Sequence, residues 1–378
     1  MILFKSGEVY IEKNQCLIFP KYYFNLFFEK YLNNFDDDKN FLFFKKLIEF
    51  SKIDSFLFYS QLNQNKIKSK KSAICSFLNF INNFGLNTVE LKYFSFEKII
   101  FSIQTNTFDY SSKKEKYSTS CILFAFIYNF LIFLFKKRIL FNRTFSNKNI
   151  FFTFYLFNNN SLINKRNSLI DLFNKEPSYD FKNLYEIKEK IENLNTSKKT
   201  ILRNSLISKI IVNDLIVKNQ KEIKIWNIPI NLLPIYFLFN FFSNENFKIA
   251  FLKKIAINQG SCSAIFQKKV FGFNNRSILF KTVLEQSQVF GFGEVIFNLD
   301  SNQFNIKNNL ITLQNCLNFD KSNINFYFSY FILGVFSQIY NTNCNLIKIS
   351  ESNFKITLKK QKIKEENSNY SKINFLLK

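Results

Sequence analysis

The sequence predicts an α/β fold of the α+β type: two similar domains, each of antiparallel strands with a helical layer, packed as an internal pseudo-dimer. Three observations predict it. Glu8 to Phe28 (EVYIEKNQCLIFPKYYFNLFF) aligns without a gap on Glu222 to Phe242 (EIKIWNIPINLLPIYFLFNFF), matching Pro20 with Pro234 and Phe27-Phe28 with Phe241-Phe242. A repeat of about two hundred residues is too long for a solenoid unit and suits a duplicated domain. The chain has 378 residues, enough for two domains that each bury a core. Short Ile- and Val-rich runs alternate along it with longer apolar segments at helical spacing.

In the second copy, Ser208 to Lys218 and Glu222 to Asn231 read as strands. Pro234 opens an apolar helix, because the N–H it lacks would be unpaired in a first helical turn anyway. Asn246 to Lys269 reads as a helix or helix pair interrupted at Gly260, and Asn275 to Phe290 as an amphipathic helix stopped by Gly291-Phe292-Gly293. Glu294 to Leu299 and Phe304 to Leu313 follow as strands. Asn323 to Tyr340 is an apolar helix with Gly334 at its middle, and Asn345 to Ile349 with Phe354 to Leu358 form a closing hairpin.

The first copy repeats this order. Glu8 to Ile18 is strand; Tyr22 to Leu32, Phe41 to Gln64 and Ala73 to Phe84 are helical; Thr88 to Phe94 and Lys98 to Gln104 are strands. Thr119 to Arg138 is the apolar helix, and Leu140 to Phe145 with Ile150 to Phe157 close the copy. Phe84-Gly85 is matched with Phe292-Gly293, which selects Gly293 as the glycine with positive φ. The divisions are 1–157, a charged helical connector 158–205, a second domain 206–360 and a basic tail 361–378. The connector's DFKNLYEIKEKIENL suits an exposed helix.

Composition narrows the functional classes. Phe occurs 53 times and Gly only 7, while Lys and Asn dominate the polar residues. Phe, Lys, Asn, Ile and Tyr share AT-rich codons, which points to a strongly AT-biased genome, such as that of an organelle, an endosymbiont or a reduced microbe. A net charge of +24 points to a polyanion partner, although codon bias also enriches Lys. There is no His, so the commonest general base is missing, as are Ser-His and Cys-His nucleophile pairs. The six Cys contain no CxxC and read as reduced thiols, which fits a cytoplasm or an organelle matrix. The start of the chain lacks the apolar core of a signal peptide. Cys121 to Phe135 is apolar but falls short of the roughly 18 to 20 residues a membrane span needs, so a buried core helix is expected. Lys136, Lys137 and Arg138 behind it are suited to capping its C-terminal end or to snorkelling to a lipid surface.

The segments EIKIWNIPINLLP (Glu222 to Pro234), FGFGEVIF (Phe290 to Phe297) and YFILGVFSQIYNTNCNLIKI (Tyr330 to Ile349) resemble the 4-vinyl reductase domain, a small-molecule-binding family. The resemblance covers about residues 206 to 360, and residues 7 to 157 by pattern only. In that family the Gly pair precedes a core strand and the Gly-bearing helix covers the ligand pocket. The resemblance therefore implies a non-catalytic binding or scaffold protein with an apolar small-molecule pocket at Gly291, Gly293, Phe331, Gly334 and Phe336. Many members carry Cys near the final hairpin; here only Cys344 lies there, so no metal site is expected.

Other candidates rest on the residues alone. Phe290-Gly-Phe-Gly293 lacks the third Gly of a nucleotide loop and follows a helix rather than a strand. Asp36-Asp37-Asp38 offers carboxylates for a hard cation, though adjacent side chains diverge. Glu285 and Glu294 flank the Gly turn without a partner for acid–base work. Lys66, Lys68, Lys70 and Lys71, near Tyr59 and Phe77, form the candidate nucleic-acid contact. They carry the alternative reading, an RNA- or ribosome-associated protein with an RNA or protein partner on its basic surface.

Overall fold

The computed structural model describes residues 2–5, 8–11, 14–21, 24, 40–65, 67, 69–104, 113–146, 149–157, 179–196, 216–219, 222–225, 228–243, 249–272, 275–298, 301–307, 324–350 and 353–358. Asp36-Asp37-Asp38, Lys66, Lys68 and most of the expected helix Tyr22 to Leu32 lie outside them.

The first half runs β1 (Ile2–Lys5), β2 (Glu8–Ile11), β3 (Asn14–Pro20), α1 (Asn40–Gln64), α2 (Lys70–Asn82), β4 (Thr88–Phe94), β5 (Lys98–Gln104), α3 (Lys113–Phe135), β6 (Arg138–Phe145) and β7 (Asn149–Phe157). Helix α4 (Phe181–Thr196) follows. The second half runs β8 (Ile216–Asn219), β9 (Glu222–Ile225), β10 (Ile228–Pro234), α5 (Ile235–Phe242), α6 (Ile249–Phe271), α7 (Arg276–Val289), β11 (Glu294–Asn298), β12 (Gln303–Lys307), α8 (Ile324–Tyr340), β13 (Cys344–Lys348) and β14 (Asn353–Leu358). The class is mixed α/β with antiparallel sheets. The element order recurs, and so does the strand order: β4-β5-β7-β6 in one half and β11-β12-β14-β13 in the other.

The third sheet joins the halves, in the order β1-β2-β3-β10-β9-β8. At its centre Ile18 faces Leu232, flanked by Leu17 opposite Leu233 and Phe19 opposite Asn231. Ile18 and Leu232 are the same position of the repeat, 214 residues apart as Glu8 and Glu222 are. A position facing its own copy, with its neighbours exchanged, is the signature of an isologous two-fold contact.

The edges that β3 and β10 do not share are closed reciprocally. Leu232 N–H donates to the Phe84 carbonyl at 2.8 Å, and Ile18 N–H donates to the Phe290 carbonyl at 3.0 Å. Each half thus lends its helix-to-strand turn to the other half's central strand. This geometry corrects the sequence alignment: Phe84-Gly85 corresponds to Phe290-Gly291, not to Phe292-Gly293. Gly85 and Gly291 each lie three residues before a strand, β4 and β11. All three glycines take positive φ, +71° at Gly85, +86° at Gly291 and +85° at Gly293. Gly85 is also forced by crowding, since a Cβ there would lie 2.5 Å from the Ile230 carbonyl oxygen.

Other expectations shift for physical reasons. Glu8 to Ile18 and Glu222 to Asn231 are tight antiparallel turns of chain rather than single strands, closing where Ile11 pairs Asn14 and Ile225 pairs Ile228. Helix α6 runs unbroken through Gly260, which serves helix packing instead of interruption. Helix α4 is not a free connector: Leu184 and Ile191 are buried, and Leu184 packs with Phe56 and Phe133 of the first half.

Phe supplies much of the core, with Phe77 stacked on Phe130 at 4.0 Å and Phe292 on Phe328 at 4.4 Å. Rings also cross between halves. Phe19 packs on Phe242, Phe292 and Tyr327, and Phe237 on Phe50 and Phe126. Buried residues of both halves belong to one continuous cluster. Cys121 to Phe135 runs through it as α3, and among the described residues no helix is long and apolar enough to cross a membrane. Lys136 ends α3 in the left-handed conformation (φ +53°), donating its N–H to Ile132, and Asn341 (φ +52°) ends α8 likewise.

Candidate nucleic-acid interface

Two regions of the described residues bring titratable side chains together in a way that bears on function. One is buried beside the two-fold contact. Asp54, in α1, is fully buried, and its carboxylate accepts the Phe237 N–H at 2.7 Å. It thereby satisfies a first-turn amide of α5, whose preceding residue Pro234 has no side chain to do so. Burial pushes the Asp54 carboxyl well above the usual range, against the pull of the Phe237 and Tyr236 amides. The buried Cys16 thiol is pushed up by burial first and then by Asp54. A thiol held protonated is a poor nucleophile, and the link between the halves here is the Asp54 bond to the Phe237 amide.

The other region is at the end of the first half, where the start of α2, the end of α3 and the β4–β5 turn meet. Ser69 caps α2, accepting the Ser72 N–H at 3.1 Å, so that Lys70 and Lys71 open the helix. The β4–β5 turn is fixed by Ser95, whose hydroxyl accepts the Glu97 and Lys98 N–H groups. That turn holds Phe96 out at 61 % exposure, with Tyr93 at 50 % beside it on β4. The Lys70 ammonium lies 4.5 Å from the Phe135 ring centroid and 6.0 Å from that of Phe96. Burial and then the charge of Lys137 push the Lys70 pKa down. Lys71 and Lys136 are exposed, Lys98 lies over Tyr155 at 5.7 Å, and Glu97 is an exposed carboxylate in the turn. This arrangement can hold an anion among ammonium groups and offer a ring face to a flat, apolar group.

The residues named from sequence fall as follows. Lys70 and Lys71 are in this region. Tyr59 and Phe77 pack among core rings: Tyr59 on Phe56 and Phe133, and Phe77 on Phe58, Phe80 and Phe130. Phe96 was not singled out from sequence, and Phe135 and Lys137 were read only as the end of an apolar helix and its basic flank. Their signal was weak, a Phe in a Ser-Phe-Glu turn and a basic pair after a helix, and only the fold joins them.

The pocket residues implied by the resemblance are packed. Phe331 stacks near Phe328, and Phe336 contacts Phe280, Phe297 and Tyr340. At Gly334 a Cβ would lie 2.1 Å from the Ile257 carbonyl oxygen, and at Gly260 2.0 Å from that of Phe331. Helices α6 and α8 therefore touch backbone to backbone and leave no room between them at these glycines. Glu285 is partly buried, and its carboxyl is raised by burial. Among the described residues no group of three or more His, Cys, Asp or Glu could hold a metal ion.

No protein-family model, no curated protein and no solved structure matches this chain.

Proposed function

We propose that this chain is a non-catalytic scaffold that associates with RNA through the basic end of its first half. The observation that carries the reading is the grouping of Lys70 and Lys137 with the exposed Phe96, with Lys71 next to Lys70 in the chain and Lys136, over the Phe181 ring, next to Lys137. Lysines alone are what codon bias and solubility produce. Lysines beside a displayed ring are what phosphate and base require together. The shared core and the reciprocal turns supply a frame on which such a surface keeps its shape.

The resemblance to the 4-vinyl reductase domain stands as a proposal for the origin of each copy. An apolar ligand pocket on that pattern would have to lie elsewhere than between α6 and α8, where Gly260 and Gly334 bring the backbones together.

The test is a salt titration of binding to a fluorescein-labelled oligoribonucleotide. The reading expects measurable affinity at 50 mM salt that falls steeply by 200 mM, as counterion release dictates. Absence of binding at 50 mM salt overturns it.

A further inference from the structure

We infer that the basic end of the first half is a specific site for single-stranded nucleic acid, with an unpaired base stacked on Phe96 and the adjoining phosphates held by Lys71 and Lys137. The inference rests on the RNA reading above and deepens it. Its argument is internal to the molecule, because the second half contains the same end built on the same frame. Helix α7 starts with Arg276-Ser277 where α2 starts with Lys70-Lys71. Asn341-Thr342 follow α8 where Lys136-Lys137 follow α3, and the left-handed conformations of Lys136 and Asn341 fix that correspondence. The β11–β12 turn reads Leu299-Asp300-Ser301-Asn302 where the β4–β5 turn reads Ser95-Phe96-Glu97. Both ends have been exposed to one codon bias, yet the second carries one cation, Arg276, where the first carries four, and its turn has no ring. A uniform drift toward Lys and Phe favours neither end, whereas a ligand bound at one end favours that end.

The chemistry favours single strands. A ring exposed at 61 % on a turn, braced edge-on by Phe94, presents a face on which an unpaired base can stack and a paired base cannot. Lys70, lying between Phe135 and Phe96, holds a cation under that ring and strengthens its attraction for a π-system. Lys71 and Lys137 leave the ring free and supply charge beside it. RNA and DNA share this chemistry, so both are arms of the test.

The experiment measures fluorescence anisotropy of labelled oligouridylate, oligothymidylate and a duplex of equal length with the full-length protein. Phe96→Ala, at an exposed position, is expected to weaken single-strand binding roughly ten- to a hundredfold and duplex binding little. Lys71→Gln with Lys137→Gln is expected to lower the slope of log affinity against log salt by about 1.4. Arg276→Gln, at the corresponding end of the second half, is expected to leave both unchanged. A preference for uridylate over thymidylate assigns the site to RNA; equal affinity assigns it to single strands generally. If the parent binds and Phe96→Ala binds equally well, the site is overturned while the RNA reading survives. Equal losses for single strand and duplex overturn the stacking role in favour of plain polyanion attraction. If the parent binds none of the three, the RNA reading itself has failed.

Discussion

The two central helix crossings occupy the same place in the two halves and are held by opposite means. In the first half α1 crosses α3 with Ser55 near the Phe126 carbonyl, its hydroxyl donating at 3.4 Å. In the second half α6 crosses α8 with Gly260 at the corresponding place, so close that a Cβ would meet the Phe331 carbonyl. Phe126 and Phe331 each lie nine residues before the last residue of their helix. On the same count Asn129 corresponds to Gly334. Asn129 is buried and fully engaged: it donates to the Ile48 carbonyl at 2.6 Å and to Ser51 Oγ at 3.0 Å, and accepts from the Tyr179 hydroxyl at 2.6 Å. The first crossing is thus spaced by a polar network that also anchors the chain entering α4. The second is spaced by glycine and contact between backbones. One architecture tolerates both, because a buried polar group costs little once every hydrogen bond is made, and a close crossing costs little once no side chain intervenes.

Exchanging the two solutions breaks the equivalence most sharply. Gly334→Asn places the first half's side chain where the Ile257 carbonyl already sits, and is expected to cost about 3 kcal/mol through overpacking. Chemical denaturation measures it, and an unchanged midpoint would mean that the close crossing is not real. Next in size is Gly85→Ala, which combines a left-handed backbone with the Ile230 carbonyl 2.5 Å away. Its expected cost is about 2 kcal/mol. Gly291→Ala, at the corresponding position, is expected to lose a similar amount. The sequence selects Gly293 and ranks Gly291 below it; Gly293 does take positive φ, and Gly291 takes it equally.

The reverse exchange, Asn129→Ala, removes the partner of Tyr179 and Ser51. It is expected to cost about 1 to 3 kcal/mol. It should also loosen α4, seen as faster amide exchange over Phe181–Thr196; unchanged exchange there would uncouple the network from α4.

The smallest effect is on the contact between the halves, and it has a sign set by pH. The folded-state pKa of Asp54 is raised by burial. Its contribution is therefore fully present below the unfolded value of about 3.9 and is lost as pH rises toward the folded value. Asn keeps the acceptor for the Phe237 N–H without a charge. Asp54→Asn is expected to raise Tm by a few degrees at pH 8 and to match the parent near pH 4. A gain that does not depend on pH would argue against a buried carboxyl.

The strands β4, β5 and β14 and the helix α8 were legible within a residue or so, because period and length both spoke for them. The repeat itself was legible at Glu8 and Glu222 since its residues are central and apolar. What the sequence hid is contact at a distance. Gly260 looks like a helix break because its reason, the Phe331 carbonyl, is far along the chain. Gly85 matches Gly293 by eye and Gly291 in space, because the match depends on which carbonyl reaches the opposite half's strand. Of the candidate site, Lys70 and Lys71 could be read as contacts; Lys137 was read only as a helix-end charge, Phe135 only as the end of a core helix, and Phe96 not at all. Three short segments, each ordinary alone, become a site only when α2, α3 and the β4–β5 turn converge.

The central claim, that the copies meet about a two-fold axis at Ile18 and Leu232, is tested most directly by an engineered disulfide. The N–H groups of these two residues donate outward to Phe290 and Phe84. They therefore form the close, non-hydrogen-bonded kind of antiparallel pair, whose Cα separation of about 4.5 Å suits a disulfide. Ile18→Cys with Leu232→Cys is expected to crosslink completely under mild oxidation, with the bond mapped by mass spectrometry of the digest. Ile18→Cys with Ile230→Cys is expected to remain reduced. A crosslink at the second pair and none at the first would shift the register and remove the two-fold axis.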